Sequence, residues 1–169
     1  MNNFSLLIPT MNRSRFIRRA LCFYRDLGFS GEILIGDSSN KDEYLASQAA
    51  VKEVGEDLTV KHIFLPANEF PTCAAVVKHL ISLAETEYLA QFGDDDILLP
   101  KGVKACIDFL DEHQDYVAAC GAKRLEFSLS GKAEAYGEVD NLRLVQEPQL
   151  DSCEFQQRYV SYMRNAIAP

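Results

Sequence analysis

The chain has 169 residues and a formal net charge of −8, with 47% apolar and 25% charged residues. That length and composition predict one globular domain with its own core and exclude disordered and fibrous proteins. The acidic balance argues against a nucleic-acid binder, because phosphate backbones attract basic surfaces. It is compatible with a small phosphorylated ligand if a metal ion or local arginines offset the repulsion.

The five cysteines are scattered and form no CxxC pair, which predicts buried thiols in a reducing compartment. The N-terminal sequence "MNNFSLLIPTMNR" has a short apolar run and no basic start, so it does not resemble a signal peptide. No stretch approaches the ~18 apolar residues that a membrane-spanning helix needs. The sequence therefore predicts a soluble, cytoplasmic protein, with peripheral attachment at the inner membrane face as an alternative.

Apolar runs and amphipathic helical patterns alternate along most of the chain. In chain order they predict strand 4–8, helix 14–27, strand 32–36, helix 40–54, strand 59–65, helix 73–84, strand 87–92, helix 101–112 and an extended segment 116–127. Pro9 is expected to end the first strand, and Asn40 with Glu43 has the spacing of a capping box. Residues 128–149 are polar and rich in turn formers, and 152–167 are predicted as a final helix.

This order of elements predicts an α/β fold, a three-layer sandwich with a mainly parallel central sheet and helices on both faces. Ligands of such sheets bind at the carboxyl ends of the strands. Polar side chains follow three of the predicted strands, namely Thr10, Asn12 and Arg13, then Asp37, then Asp94, Asp95 and Asp96. No GxGxxG or GxxxxGK[ST] follows any strand, which argues against dinucleotide and P-loop sites.

The stretch "QFGDDDILLP" places three adjacent aspartates where a strand ends. Adjacent carboxylates in a confined site repel one another unless a cation is present. Mg²⁺ and Mn²⁺ prefer oxygen ligands, and Mg²⁺ often takes one or two carboxylates together with substrate phosphates. The alternative is a solvated turn that caps the helix behind Pro100. The position after a buried strand, facing Asp37, favours the metal site.

Four features together resemble an inverting family-two glycosyltransferase: "FSLLIPTMNR", "GEILIGDSSNKDE", "AETEYLAQFGDDDILLPKGV" and the spacing between them. The resemblance covers about residues 4 to 125. It implies a Rossmann-like nucleotide-diphospho-sugar transferase (GT-A) fold, with a nucleotide-sugar (donor) binding domain at 1–127. Residues 128–169 would begin an incomplete acceptor-side region within the same structural domain.

The resemblance also implies the roles of the residues at the strand ends. A nucleoside-diphosphate sugar, with a UDP-sugar favoured, would be bound through Pro9, Thr10, Asn12, Arg13, Asp37 and Asp94. Asp37 would accept a hydrogen bond from a ring N–H of the base. Asp95 would be the main ligand of Mn²⁺ or Mg²⁺, with Asp94 and Asp96 as further ligands. Gly93 stands where the family often has aspartate, so the D-x-D frame can be Asp94-x-Asp96 or the direct pair Asp94–Asp95.

The implied reaction is sugar transfer to a hydroxyl of a glycan or lipid-linked acceptor, in bacterial surface-glycan synthesis. Such an enzyme needs a carboxylate general base, and the late carboxylates of this chain show no recognisable base motif, so the base is expected beyond Pro169. The chain is accordingly interpreted as a fragment or truncated gene product that is slow or inactive alone. A non-catalytic nucleotide-sugar binding module is the first alternative, and a nucleotidyltransferase is a weaker one.

Two other groups of charged or polar residues receive a structural interpretation. Arginines 15, 18, 19 and 25 lie opposite the apolar face of the first helix, which predicts a solvated face. The histidines at 62, 79 and 113 have no metal-ligand spacing, which argues against a zinc site.

Overall fold

The structure is a computed structural model that describes residues 3–121, 123–130 and 135–146. The chain divides into two compact units, Met1–Ile107 and Asp108–Pro169. The first unit carries the alternating strands and helices, and the second carries a separate two-stranded sheet. The proposed boundary at residue 127 between donor and acceptor regions stays a prediction.

The helices and strands of the first unit follow the predicted order. They are β1 (Phe4–Thr10), α1 (Ser14–Asp26), β2 (Glu32–Asp37), α2 (Lys41–Val54), β3 (Thr59–Phe64), α3 (Cys73–Leu83), β4 (Tyr88–Gln91) and α4 (Pro100–Glu112), which continues into the second unit. A short 3₁₀ turn, Gly55–Asp57, follows α2. The four strands pair in the order β3-β2-β1-β4, and all three pairings are parallel. The predicted α/β fold with a mainly parallel sheet is confirmed.

Pro9 lies inside β1 rather than after it, because the strand continues to Thr10. Leu7 accepts a hydrogen bond from Phe92 just past the end of β4. Residues two apart on a parallel strand direct their backbone groups to the same neighbour, so the Pro9 nitrogen faces the side where β4 has already ended. A proline is tolerated there because no partner strand requires its missing N–H.

Helices cover both faces of the sheet, as the alternating pattern predicts. One face packs Leu6, Ile8, Ile33 and Ile35 against residues of α1 and Val103 of α4. The other face packs Leu7, Leu34 and Leu65 against Val76 and Leu80 of α3. Strands buried on both sides read as continuous apolar runs, which is why the sequence pattern located them.

The second unit differs from the prediction. The extended segment predicted at 116–127 overlaps β5, which covers Lys123–Leu129 and pairs antiparallel with β6, Val139–Gln146, rather than joining the parallel sheet. Within residues 128–149, predicted as a polar stretch rich in turn formers, the structure has the strand β6, which was not predicted from the sequence. In β5 apolar Leu125 and Phe127 alternate with Arg124 and Glu126, a pattern typical of an antiparallel strand rather than a doubly buried parallel one. The predicted helix 152–167 lies outside the described residues.

The described cysteines contradict the prediction of buried thiols. Cys22 and Cys106 are half-buried, whereas Cys73 and Cys120 are exposed. Within the described part of the chain, no helix combines the length and the apolar character that crossing a membrane requires.

Candidate functional site

Three neighbouring strands end in a row of side chains at the carboxyl edge of the sheet. Thr10 of β1 is in register with Asp37 of β2, and Asp37 is in register with Phe64 of β3. In-register residues of neighbouring strands point to the same face of a sheet. The structure therefore brings Thr10 and Asp37 together at one edge, as the positions of the strand ends predicted.

Asp94 reaches this edge from the loop after β4. The Thr10 hydroxyl donates a hydrogen bond of 2.6 Å to Asp94 Oδ2, across 84 positions of sequence. Arg13 Nε lies 3.0 Å from the other oxygen, Oδ1. Asp94 is only 4% exposed. Burial raises the pKa of Asp94 above its usual value, although the hydrogen bond from Thr10 and the charge of Arg13 act in the opposite direction.

Arg13 joins Asp94 to Asp95. One terminal nitrogen of its guanidinium lies 2.9 Å from Asp95 Oδ2, while Nε faces Asp94. The same guanidinium lies over the Phe16 ring, with its central carbon 4.0 Å from the ring centroid. A guanidinium can bridge two carboxylates in this way because its donors are arranged as a planar fork. Asp94 and Asp95 are therefore neutralised in part by one internal cation.

Asp95 and Asp96 are both exposed, unlike Asp94. The Asp96 N–H donates to the carbonyl of Gly93, which closes a tight turn around the acidic residues. A Cβ on Gly93 would lie 2.8 Å from Asp95 Oδ1, so a side chain at this position would displace the Asp95 carboxylate. The direct pair Asp94–Asp95 shares Arg13, and the choice of metal ligands within this turn stays a prediction.

Asn12 connects the loop after β1 to the loop after β2. Its φ of 56° lies in the left-handed region, which asparagine tolerates better than most residues. Its backbone N–H donates to Ser39 Oγ at 2.7 Å, and its side-chain oxygen accepts from the Asn40 N–H at 2.9 Å. The two loops at the site are thereby held at a defined separation.

Asn40 caps α2, as predicted, by accepting from the N–H groups of Asp42 and Glu43. The capping box itself does not form. Glu43 instead accepts a hydrogen bond from the Ser14 N–H, at the first turn of α1. The Asn40 N–H donates to the Asn12 side chain instead of to Glu43. Glu43 is therefore available to the Ser14 N–H, and this hydrogen bond connects α1 to α2 beside the site.

Asp37 is completely buried, and both of its oxygens have partners. Oδ1 accepts from the Ser39 N–H, and Oδ2 lies 2.9 Å from His62 Nε2 of β3. The His62 side chain is 5% exposed, and its ring stacks on Tyr44 of α2. Burial alone would raise the pKa of Asp37, yet the hydrogen bonds from His62 and Ser39 hold it below its usual value.

Sequence reasoning missed two contacts of this site. His62 was discounted because it has no metal-ligand spacing, yet it contacts Asp37; the signal available was its position two residues before Phe64, on the face shared with Asp37. Arg19 was assigned to a solvated face, yet one of its terminal nitrogens donates to the Asp95 carbonyl at 3.0 Å. Other members of that face meet the prediction better, since Arg18 pairs with Glu53 at the exposed surface.

Within the described ranges, no group of three or more histidine, cysteine, aspartate or glutamate side chains is arranged to hold a metal ion. The structure joins two of the three predicted metal ligands, Asp94 and Asp95, through Arg13, and places Asp96 in the adjoining turn. Two carboxylates are a set that Mg²⁺ completes with phosphate oxygens and water.

A comparison with solved structures finds similarity to the structure titled "Crystal structure of S. aureus TarS 1-349". The two agree with a TM-score of 0.54 and 23% sequence identity, over 68% of this chain and 33% of that chain. This likeness establishes that the parallel sheet and its helices have a fold of the GT-A type. The present chain spans about a third of the length of the TarS chain.

The chain was also compared with curated proteins and with protein families. No curated protein matches it. Residues 5–163 match the family described as Glycosyl transferase family 2, and this range includes the parallel sheet except for its first residue, Phe4, together with the acidic turn after β4. With most of its length matched, this chain belongs to glycosyl transferase family 2.

Proposed function

We propose that this chain forms the donor-binding part of a glycosyltransferase that moves a sugar from a nucleoside-diphosphate sugar to a hydroxyl acceptor. One observation carries the proposal: Thr10 and Arg13 gather Asp94 and Asp95 at the carboxyl edge of the parallel sheet. Ligands of open α/β sheets bind at that edge. In a member of this family, the edge is the natural place for the diphosphate of the donor.

The residues present are compatible with a divalent cation, Mn²⁺ or Mg²⁺. Asp94 and Asp95 offer hard oxygen ligands, and the Arg13 guanidinium lies between them, so the pair already accommodates one cation. Asp95 is the better exposed of the two, with 54% of its side chain accessible, so we assign it as the principal ligand and Asp94 and Asp96 as supporting residues. A metal bound there would stabilise the negative charge of the departing diphosphate.

The neighbouring loops supply the rest of the proposed donor site. Pro9 and Thr10 end β1, and Asn12 and Arg13 follow in the loop that faces the acidic turn. Asp37 remains our candidate for the base contact. Its ionised carboxylate would accept from a ring N–H, as uracil offers and cytosine does not, which favours a UDP-sugar. Because Asp37 is fully buried and both of its oxygens already have partners, such a contact requires a rearrangement around this carboxylate.

In the proposed reaction, the acceptor hydroxyl oxygen forms a bond to the anomeric carbon while the bond from that carbon to the diphosphate breaks. The hydroxyl proton passes to a carboxylate base, which we place outside the described residues. The protein groups of the donor site hold the sugar nucleotide in line for this displacement. We propose a glycan or lipid-linked acceptor in bacterial surface-glycan synthesis and a cytoplasmic site of action.

Calorimetry with UDP in the presence and absence of Mn²⁺ tests the donor site. We expect binding that depends on Mn²⁺ in the unmodified protein and a loss of at least about 10-fold in Asp95→Ala. Asp26→Ala is the matched control, because it removes another exposed carboxylate that pairs with an arginine away from the site. Failure of the unmodified protein to bind UDP with Mn²⁺ would overturn the proposal.

A second measurement separates the enzyme from a module that only binds the donor. Release of UDP from UDP-sugars is followed with and without simple glycan acceptors. Release that requires an acceptor supports transfer by this chain. Donor binding without release supports the alternative, in which the chain binds nucleotide sugars and another polypeptide segment supplies the base.

A further inference from the structure

Arg13 occupies the carboxylates to which the proposed function assigns a metal ion. Three of the four carboxylate oxygens of Asp94 and Asp95 are contacted by Thr10 or Arg13. Two of these three contacts come from the single guanidinium of Arg13. A divalent cation that entered this pair would meet a positive charge already in place, and the two cations would repel one another.

The Arg13 side chain is in a position to move. It is 39% exposed, and so is not locked in the core. Its guanidinium also rests on the Phe16 ring at 4.0 Å, a contact that does not depend on the carboxylates. Arginine is well suited to bind a diphosphate, because its planar donors match phosphate oxygens as well as carboxylate oxygens.

The acidic turn has other supports that would stay in place when Arg13 moves. Thr10 holds Asp94 Oδ2, and Arg19 holds the Asp95 carbonyl. The Tyr24 hydroxyl accepts a hydrogen bond from the Leu98 N–H two residues beyond Asp96. The position of the turn therefore does not depend on Arg13 alone.

We propose that Arg13 is a displaceable counter-ion of the donor site. In the free protein it neutralises Asp94 and Asp95, and on donor binding it yields these carboxylates to the metal and transfers its guanidinium to the diphosphate. This inference rests on the proposed function, since it presumes a metal-dependent donor site. Arg13 would weaken the binding of the metal alone and strengthen the binding of the metal together with the nucleotide. The two ligands would therefore bind cooperatively.

The test measures Mn²⁺ binding to the free protein and UDP binding at saturating Mn²⁺, each by calorimetry. In Arg13→Gln we expect Mn²⁺ alone to bind roughly 10-fold more tightly, because the competing charge is gone. In the same variant we expect UDP to bind roughly 10-fold more weakly, because the diphosphate loses a charged donor. Arg18→Gln is the matched control; it removes an equal charge from α1 at the Glu53 pair and should leave both affinities unchanged.

Arg13→Lys separates charge from geometry. Lysine retains the positive charge but cannot bridge two carboxylates as a fork does. We expect its Mn²⁺ affinity to stay near that of the unmodified protein, while its UDP affinity falls. The thermal stability of the three variants, read by circular dichroism, serves as a folding check. Mn²⁺ should also raise the unfolding temperature of Arg13→Gln more than that of the unmodified protein, since tighter binding to the folded state stabilises it.

The outcomes distinguish the two proposals. If the unmodified protein binds UDP with Mn²⁺ but Arg13→Gln binds Mn²⁺ no more tightly, Arg13 is not a displaceable counter-ion and the donor site still stands. Weaker Mn²⁺ binding in Arg13→Gln would also overturn the inference, because it would make Arg13 a support of the metal site. If the unmodified protein binds neither ligand, the proposed function itself fails.

Discussion

The buried pair of His62 and Asp37 makes a sharp prediction about stability. Replacing His62 by leucine removes the donor 2.9 Å from Asp37 Oδ2 while keeping an apolar side chain of similar size. The two side chains are 5% and 0% exposed, so water does not readily replace the lost partner. The Asp37 carboxylate would then keep its hydrogen bond from Ser39 as its remaining support at Oδ1.

The expected cost follows from the burial of the carboxylate. A hydrogen bond to a charged group contributes about 1.5–3 kcal/mol, and removing one partner of a buried pair costs about 3–5 kcal/mol. The retained Ser39 bond moderates the loss, so we expect His62→Leu to lower the free energy of unfolding by roughly 2–4 kcal/mol. That is a large share of the ~5–15 kcal/mol that stabilises a typical domain.

Urea unfolding followed by circular dichroism measures this difference, and Lys61→Ala is the control. Lys61 precedes His62 on β3 and pairs with Glu32, but its side chain is 51% exposed, so its loss should cost much less than the loss of His62. A double-mutant cycle that combines His62→Leu with Asp37→Asn isolates the interaction energy of the His62–Asp37 pair.

The pH dependence gives an independent check. The pKa of Asp37 is held below its usual value, so the ionised carboxylate favours the folded state above the ordinary aspartate pKa of about 3.9. This contribution is lost as the pH falls through the lowered pKa of the folded protein. The difference in free energy of unfolding between the unmodified protein and His62→Leu should therefore become smaller at acid pH. A variant within about 0.5 kcal/mol of the unmodified protein, or a gap that does not change with pH, would refute the reasoning.

Two further predictions concern the support of the site. Gly36→Ala should destabilise the protein by about 1–3 kcal/mol in urea unfolding, because the added Cβ would lie 2.5 Å from Val76 Cγ1. Gly102→Ala in α4, where a Cβ meets nothing within 4 Å, should instead stabilise it by about 0.5–1 kcal/mol, and equal effects at both glycines would contradict the packing argument. Burial raises the pKa of Tyr24 to about 12, so its contribution to stability should be lost as the pH rises from the ordinary tyrosine value of about 10 through 12. Tyr24→Phe should remove that alkaline loss, measured by unfolding across the pH range, and should cost about 1–2 kcal/mol at neutral pH because Leu98 loses its acceptor.

Local pattern was sufficient for the parallel sheet and for the meeting of polar side chains at its carboxyl edge. Doubly buried strands are continuous apolar runs, and amphipathic helices carry their own period, so both can be read from neighbouring residues. Because parallel strands end at one edge, the convergence of Thr10, Asp37 and Asp94 also followed from the order of the elements. The antiparallel pair β5–β6 was not predicted, since the apolar residues of β6 are few and interrupted by polar ones within a turn-rich stretch.

Only the tertiary structure decided which polar groups become partners. Thr10 meets Asp94 across 84 positions, and Asp37 meets His62 across 25, through strand register and loop conformation. The sequence placed Arg13 beside the acidic turn, but the distances alone show that it bridges two carboxylates there. Periodicity indicates which side of an element is buried, because the side chains of one face recur at a fixed spacing along the chain. Hydrogen bonds and ion pairs between distant residues depend on ångström-scale separations that are defined only when the sheet, the helices and their loops have packed together.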